Sequence, residues 1–248
     1  MNKYKIILFI SFIITIFFVS KVYAVSNNQS LLGKTIYIDP GHGGIDSGTT
    51  YKKIYEKDLN LLMSKKLRTS LETLGAKVYL TRENDKDLSI SNRNRKRSDL
   101  ISRAYLINKT KPDLYLSIHI NYLSDSRYKG LQIFYNNKNK ENENIALSLT
   151  KHMKEKTYNV REPKYNNTYY MYKNITEPGV LIELGFLSNP DDRYRLTHEE
   201  YQDKLINNLT YSINEYFKEK SWNDFFFICF YVIIFYSRWL CVGGNYEI

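Results

Sequence analysis

Apolar and polar residues alternate in blocks along the middle of the chain. Short runs rich in β-branched residues predict buried strands. These runs are Thr35 to Ile38, Lys77 to Leu80, Leu114 to Ile120, Leu131 to Tyr135 and Val180 to Leu184. Helical patterns separate several of them, and strands separated by helices predict a single layered α/β domain with a mostly parallel sheet flanked by helices.

The helical patterns have apolar residues at i, i+3, i+4 and i+7. The first runs from Lys57 to Leu74 and is followed by Gly75, a residue typical of helix C-terminal caps. Two more are predicted at Ser98 to Asn108 and Asn142 to Lys156. A fourth is predicted to begin at Thr197, where Glu200 completes a capping box.

The two ends of the chain differ in composition from the body. Residues 1–24 combine early lysines with an apolar run and end in Val22-Tyr23-Ala24, a pattern typical of an export signal, with a retained anchor as the alternative. The apolar segment Phe225 to Tyr236 is too short to span a bilayer comfortably. It could contact a membrane surface, but we favour a tail that takes no part in activity. We therefore predict a linker at 25–32, a catalytic domain at 33–220 and a hydrophobic tail at 221–248, with either terminus able to contact a membrane.

Composition narrows the classes of protein and partner. The formal net charge of +10 favours polyanionic partners such as cell-wall polymers, anionic membranes or nucleic acids. Nucleic-acid-binding motifs are absent from the sequence, so we expect no nucleic-acid partner. Both cysteines, Cys229 and Cys241, lie in the tail, which excludes a disulfide framework or thiol catalysis in the body.

Polar residues with catalytic chemistry follow the predicted strands. The first strand leads into Asp39-Pro40-Gly41-His42-Gly43-Gly44, the middle one contains His119, and a late one contains Glu183. Ligands of parallel sheets bind beyond the carboxyl ends of the strands, so these side chains are expected at one edge. Glu56, at the start of the first helix, can reach the same place through the loop that follows the glycine-rich turn.

Two imidazoles and one carboxylate are the ligand set of a catalytic zinc site, with the fourth position left to water. We therefore predict that His42, Glu56 and His119 bind one Zn²⁺ ion. Glu183 is then the general base that takes a proton from water and passes it to the leaving nitrogen. The four residues suffice for amide hydrolysis.

Each of these residues also has a structural interpretation. A lone histidine at a strand end, such as His119, is usually structural, and Glu56 at a helix start is explained by the helix dipole. Glu183 is different because it interrupts the apolar run Leu181-Ile182-Glu183-Leu184, and a buried charge is costly unless it is paired or bound to metal.

A basic run lies around the start of the second predicted helix and contains Arg93, Arg95, Lys96, Arg97 and Arg103. One hypothesis is that these residues bind carboxylates of a substrate. The alternative is a solvated helix face, which is the more frequent role of such a run.

Four segments together resemble one family. They are Ile38-Asp39-Pro40-Gly41-His42-Gly43-Gly44, Glu56-Lys57-Asp58-Leu59, Ser117-Ile118-His119-Ile120-Asn121 and Ile182-Glu183-Leu184-Gly185-Phe186-Leu187-Ser188-Asn189. In order and spacing, over roughly Gly33 to Phe217, they are similar to the zinc-dependent N-acetylmuramoyl-L-alanine amidases.

The resemblance implies a six-stranded sheet, zinc on His42, Glu56 and His119, and an essential Glu183. It also implies a peptidoglycan substrate, cut between the lactyl group of N-acetylmuramic acid and the L-alanine of the stem peptide. Thr81-Arg82-Glu83-Asn84-Asp85 and Gly130-Leu131-Gln132-Ile133-Phe134-Tyr135 most resemble the germination-specific type. That type implies export to the cell wall or spore cortex, formation of muramic-δ-lactam and a functional partnership with a peptidoglycan deacetylase.

Three other functions stay open on the sequence. The chain could act as a vegetative autolysin, or as another zinc hydrolase of the wall that cuts a different bond. A non-catalytic wall-binding protein is the rival from another class, and Glu183 argues against it because a binding protein has no need of a buried acid.

Overall fold

The computed structural model describes residues 10–15, 17, 30–157 and 159–242, with side chains described as far as residue 222. The strands are β1 (Thr35–Pro40), β2 (Thr50–Tyr51), β3 (Ile54–Tyr55), β4 (Lys77–Leu80), β5 (Leu114–Asn121), β6 (Gln132–Tyr135), β7 (Lys164–Tyr165) and β8 (Gly179–Phe186). The helices are α1 (Glu56–Thr73), α2 (Arg95–Thr110), α3 (Asn142–Lys156), α4 (Pro190–Leu196) and α5 (Glu199–Val242), with a 3-10 helix at Met171–Asn174.

Six of the strands form one sheet, in the order β4-β1-β5-β8-β6-β7. Strands β4, β1, β5 and β8 are parallel, whereas β6 pairs antiparallel with β8 and parallel with β7. The predicted single α/β domain with a six-stranded, mostly parallel sheet is confirmed. Its central strands, β5 and β8, are buried on both faces of the sheet, which explains why they are mostly apolar.

The two faces of the sheet are covered by different elements. Alternate residues of β5, namely Leu114, Leu116, Ile118 and Ile120, point to the larger core, which α1, α3 and α5 cover. Tyr115, on the opposite face, belongs to a smaller core under α2 and the 3-10 helix. Ser117 and His119 follow Tyr115 on this second face. Because alternate residues of a strand share a face, the second face of β5 is apolar at Tyr115 and becomes polar at Ser117 and His119, toward the carboxyl edge of the sheet.

The fourth helix begins two residues later than predicted, at Glu199. Thr197 instead ends the short helix α4, and its hydroxyl donates a hydrogen bond to the carbonyl oxygen of Arg193 at 2.9 Å. The predicted capping box is therefore wrong. Helix α4 has its own start signals, Asn189 as N-cap and Pro190 in the first turn.

The ends of the domain show how far the packed body reaches. Leu31 is fully buried in the larger core, so packing extends at least that far into the segment predicted as a linker. Helix α5 continues without a break past residue 220 to Val242. Apart from residues 10–15 and 17, the predicted export signal lies outside the described residues, and the division at residues 24, 32 and 220 stays a prediction. No helix in the described ranges combines the length and the apolar run that crossing a membrane requires.

Candidate metal centre

Three side chains meet at the carboxyl edge of the sheet. His42 lies in the loop after β1, Glu56 is the first residue of α1, and His119 is on β5. His42 Nε2 lies 3.2 Å from Glu56 Oε1, and His119 Nδ1 lies 3.0 Å from the same oxygen. One donor atom from each of the three residues falls within 4.8 Å of the others. The structure thus brings together the three residues that the sequence predicts as ligands.

This arrangement of donor atoms suits a zinc ion. Tetrahedral ligands about 2.0 Å from zinc lie roughly 3.3 Å from one another, close to the separations between Glu56 Oε1 and the two imidazole nitrogens. Burial alone would favour neutral groups, yet hydrogen bonds from both histidines hold the pKa of Glu56 well below its usual range. Hydrogen bonds to Asp46 and Glu56 outweigh burial at His42 and raise its pKa to about 9. The site therefore stabilises positive charge, as a cation site must.

Two glycines make room for the side chains of the predicted ligands. A Cβ atom at Gly41 would overlap the ring of His119, and one at Gly48 would lie 2.5 Å from Glu56 Oε2. His42 itself has a φ angle of 62°, an uncommon conformation for a residue with a side chain. Such strain persists only where the surroundings enforce it, as they do here around the loop at residues 41–49, which contains the predicted ligand His42 and is called the ligand loop below.

Glu56 is fixed by groups on three sides. The backbone N–H and the hydroxyl of Thr49 donate to Glu56 Oε2 at 2.8 and 3.1 Å. Oε1 accepts from the side-chain amide of Asn60 at 3.2 Å and from the backbone N–H of Ile120 at 3.1 Å. These bonds hold the carboxylate before any metal binds, which lowers the cost of ordering the site.

Glu183 lies across the strand pair from His119, with which it is in register on β8. Its side chain lines the same cleft as the three predicted ligands. Burial, together with the nearby charge of Glu56, raises the pKa of Glu183 to about 8. Among the described residues, no hydrogen-bond partner reaches its buried Oε2 atom. A carboxylate with these properties is suited to accept and release a proton near neutral pH.

The cleft that contains these groups has a volume of about 480 Å³. One wall is aromatic and includes Tyr122, Tyr169 and Tyr170. Burial raises the pKa of Tyr169 to about 12, with Glu183 contributing in the same direction, so its hydroxyl stays protonated at neutral pH. Lys96, in the first turn of α2, also lines the cleft.

Sequence reasoning missed the carboxylate behind His42. Asp46 Oδ2 lies 3.0 Å from His42 Nδ1, and its Oδ1 accepts a hydrogen bond from the backbone N–H of Gly48. A carboxylate on the outer nitrogen of a ligating histidine fixes the ring orientation and its tautomer. The signal was present in the sequence, since Asp46 follows His42 by four residues in a turn made of glycines.

Arg103 also has a role that the sequence did not reveal. It is 1% exposed and donates to Asp39, Asp99 and the carbonyl oxygen of His42 at 2.8, 2.8 and 2.6 Å. The hypothesis that Arg103 binds substrate carboxylates is therefore wrong, because protein carboxylates already occupy its guanidinium. Its ion pair with Asp39 outweighs burial and holds the pKa of that carboxyl below its usual range.

Arg82, like Arg103, is hydrogen-bonded to the backbone at the ligand loop. Its guanidinium donates to the carbonyl oxygens of Pro40, Gly41 and Lys57 at 2.9, 3.0 and 2.7 Å. These bonds join the end of β1 to the first turn of α1. The positions of His42 and Glu56 relative to one another depend on this connection.

We expect Arg103→Met to lower the free energy of unfolding by about 3–5 kcal/mol, because it leaves Asp39 buried without its counter-charge. Urea unfolding followed by circular dichroism measures the change. Arg127→Met is the matched control, because the side chain of Arg127 is 89% exposed beside Asp125 and its loss should have no measurable effect. Equal stabilities for the two variants would contradict the structural role of Arg103.

Most of the chain is similar in sequence to known amidases. Residues 36–215 match the Amidase_3 family, described as N-acetylmuramoyl-L-alanine amidase. The germination-specific N-acetylmuramoyl-L-alanine amidase of Bacillus subtilis (strain 168) is 39% identical over 231 residues, which cover 88% of this chain and 97% of that protein.

Solved structures show the same fold. The CwlD amidase from Clostridioides difficile, in complex with the GerS lipoprotein, superposes with a TM-score of 0.70 and 35% identity over 75% of this chain and 99% of that one. The catalytic domain of CwlV, an N-acetylmuramoyl-L-alanine amidase from Bacillus (Paenibacillus) polymyxa, has a TM-score of 0.66 and 29% identity over 75% of this chain and 98% of that one.

Proposed function

The chain belongs to the N-acetylmuramoyl-L-alanine amidase family, and from this premise we propose that it hydrolyses its amide substrate with one zinc ion held by His42, Glu56 and His119. The observation that carries the proposal is the convergence of these three side chains beside Glu183, a buried acid with one oxygen that no described residue hydrogen-bonds. The substrate is peptidoglycan, and the bond is the amide between the lactyl group of N-acetylmuramic acid and L-alanine.

The roles of the residues follow from their positions. Zinc, when bound, supplies a Lewis acid that polarises a carbonyl oxygen and makes water a nucleophile near neutral pH. Glu183 Oε2 takes a proton from the attacking water and returns it to the nitrogen of L-alanine as the C–N bond breaks. The products are a lactyl carboxylate on the sugar and a stem peptide with a free amino terminus. Asp46 holds the His42 ring, and Thr49 and Asn60 hold the Glu56 carboxylate throughout.

We place this activity in spore cortex maturation and germination, on the basis of the similarity to the germination-specific amidase of Bacillus subtilis. This setting requires export of the chain to the wall or cortex. A peptidoglycan deacetylase that acts on the amidase product is the proposed functional partner. The similar amidase of Clostridioides difficile was solved with the GerS lipoprotein, so a lipoprotein is a second kind of partner to test.

Mass analysis of peptidoglycan digested by the purified protein tests the proposed activity and its metal. Free stem peptides that begin with L-alanine should appear, should disappear after treatment with a chelator, and should return when zinc is added. Shortened peptides or deacetylated sugars would overturn the bond assignment. Full activity in the presence of a chelator would overturn the zinc dependence.

Asp46→Asn should weaken zinc binding about 10–100-fold, because the neutral amide no longer fixes the charge and orientation of His42. Titration with a competing zinc chelator measures the affinity directly. Asp125→Asn, which removes a half-buried carboxylate that pairs with Arg127 and does not line the cleft, is the control and should leave zinc affinity unchanged. An Asp46→Asn variant that binds zinc as tightly as the wild type would remove Asp46 from the metal centre.

A further inference from the structure

The basic run at the start of α2 separates into side chains with different surroundings. Arg103 is buried behind the ligand loop, where it is ion-paired with Asp39. Arg95 donates to Asp87 Oδ2 at 2.8 and 2.9 Å. Lys96 and Arg97 instead lie along a shallow groove that runs into the catalytic cleft, and the groove and the cleft share Lys96, Leu100 and Tyr170.

We propose that Lys96 and Arg97 form a carboxylate-binding subsite for the stem peptide, next to the metal centre. The inference rests on the proposed function, because it assigns the substrate group that this end of the cleft recognises. The ligand is the free α-carboxylate of the second stem residue. That residue is an acidic amino acid whose α-carboxyl group is free in many peptidoglycans and amidated in others.

Lys96 lies close to the metal centre, on the far side of Asp46 from His42. Its Nζ atom is 3.6 Å from Asp46 Oδ2, and that carboxylate is 3.0 Å from the predicted ligand His42. An extended peptide advances about 3.3–3.6 Å per residue, so the group one residue beyond L-alanine lies within two residue lengths of the scissile amide. The Lys96 side chain is 72% exposed, and its contact with Asp46 is an ion pair too long for a hydrogen bond, so the three donors of its ammonium group are left for a ligand.

Arg97 is oriented by an aromatic side chain. Its Nε atom donates to the hydroxyl of Tyr170 at 2.8 Å, and its guanidinium lies 5.2 Å from the centre of the Tyr170 ring. This contact leaves both Nη groups for a ligand. A guanidinium held in this way can bind a carboxylate through two parallel hydrogen bonds.

The acids near the groove are already engaged by other groups. Asp87 is paired with Arg95, Asp99 accepts from Arg103 and from the backbone N–H of Leu88, and Asp46 accepts from His42 and Gly48. Among the described residues Arg97 has no carboxylate partner, and Lys96 has only the 3.6 Å ion pair with Asp46, so both side chains can attract an anionic ligand to this end of the cleft.

A pair of soluble muropeptides tests the subsite. The two fragments have the same glycan length and differ only in the α-carboxyl of the second stem residue, which is free in one and amidated in the other. KM and kcat are measured on both for the zinc-loaded wild type, Lys96→Met, Arg97→Gln, Lys96→Arg and Lys109→Met. Lys109 provides the control because it is an exposed lysine in the last turn of the same helix.

The wild type should prefer the free carboxylate through a lower KM. Lys96→Met and Arg97→Gln should each raise KM for that substrate about tenfold and leave KM for the amidated one unchanged, since each removes one positively charged partner of the carboxylate. Lys96→Arg should keep the preference, and Lys109→Met should match the wild type. Higher salt should reduce the preference of the wild type.

Two results would overturn the subsite, and they differ from failure of the proposed function. The subsite is wrong if the wild type cleaves both fragments equally well. It is also wrong if Lys96→Met and Arg97→Gln change the kinetics of both substrates to the same degree. If the zinc-loaded wild type releases L-alanyl peptides from neither fragment, the proposed function fails and the subsite fails with it.

Discussion

Glu183→Gln lowers the rate of amide cleavage by about a thousandfold while the protein keeps its zinc; this is the largest effect that the site predicts. Glutamine has the same shape as glutamate but cannot take a proton from water or return one to the leaving nitrogen. The predicted ligands His42, Glu56 and His119 are unaltered, so metal binding is independent of the substitution. Rates of stem-peptide release, together with zinc content by elemental mass spectrometry, measure both parts.

The same substitution should stabilise the protein when the metal is removed. Burial raises the pKa of Glu183 from 4.5 to about 8, so the folded state binds more protons than the unfolded state between these pH values. Stability of the wild type therefore falls as pH rises from 4.5 to 8, whereas glutamine stays neutral. Chelated Glu183→Gln should unfold at a higher temperature than the chelated wild type at pH 8, and the difference should shrink near pH 4.

Glu183→Asp is a useful companion variant because it keeps the acid and shortens its reach. Partial activity in this variant, with almost none in Glu183→Gln, would assign the effect to proton transfer. A Glu183→Gln variant that cleaves at the wild-type rate would remove Glu183 from the reaction. Loss of zinc from the variant would mean that Glu183 acts in metal binding instead.

His119→Ala should remove zinc and activity together. This is the second of the two largest effects that we expect. One of three protein ligands is lost, so the affinity should fall by more than the 10–100-fold typical of changes outside the ligand shell. Glu56 also loses its contact with His119, which is 3.0 Å long, so that of its two histidine partners only His42 remains beside its buried negative charge. Zinc content after dialysis, and the zinc concentration needed for half-maximal activity, measure the loss.

The control for this experiment is His198→Ala. His198 is exposed and lies between α4 and α5, away from the cleft, so its removal should change neither zinc content nor activity. His42→Ala should behave as His119→Ala does. Normal zinc content in either ligand variant would show that the metal is held by a different set of side chains.

Long elements with strong periodicity were predicted closely from the sequence. Helix α3 has the predicted bounds, and β4 does as well. The two-residue strands β2, β3 and β7 were missed, because two residues contain no measurable periodicity. The error at Thr197 has a different cause: a capping signal in the sequence cannot distinguish the end of one helix from the start of the next when only two residues separate them.

The candidate site was predicted in part. His42, Glu56, His119 and Glu183 were selected because they follow or interrupt apolar strands, and all four line one cleft in the structure. Their roles as ligands and base stay predictions until zinc content and turnover are measured. Asp46 was missed, and Arg103 was grouped with exposed basic residues, because a sequence gives the charge of a side chain but not the partner that it meets.

The order of residues was enough to identify the family, the α/β class and the four residues most suited to amide hydrolysis, since side-chain chemistry and strand periodicity are local properties. Which charges are paired became known from the folded arrangement. Residues 64 positions apart, Asp39 and Arg103, form a buried ion pair, whereas Lys96, seven residues before Arg103, reaches the open cleft. Contacts between distant residues depend on how α2 packs on the sheet, and burial sets the energy of every charge, so neither can be obtained from the order of residues alone.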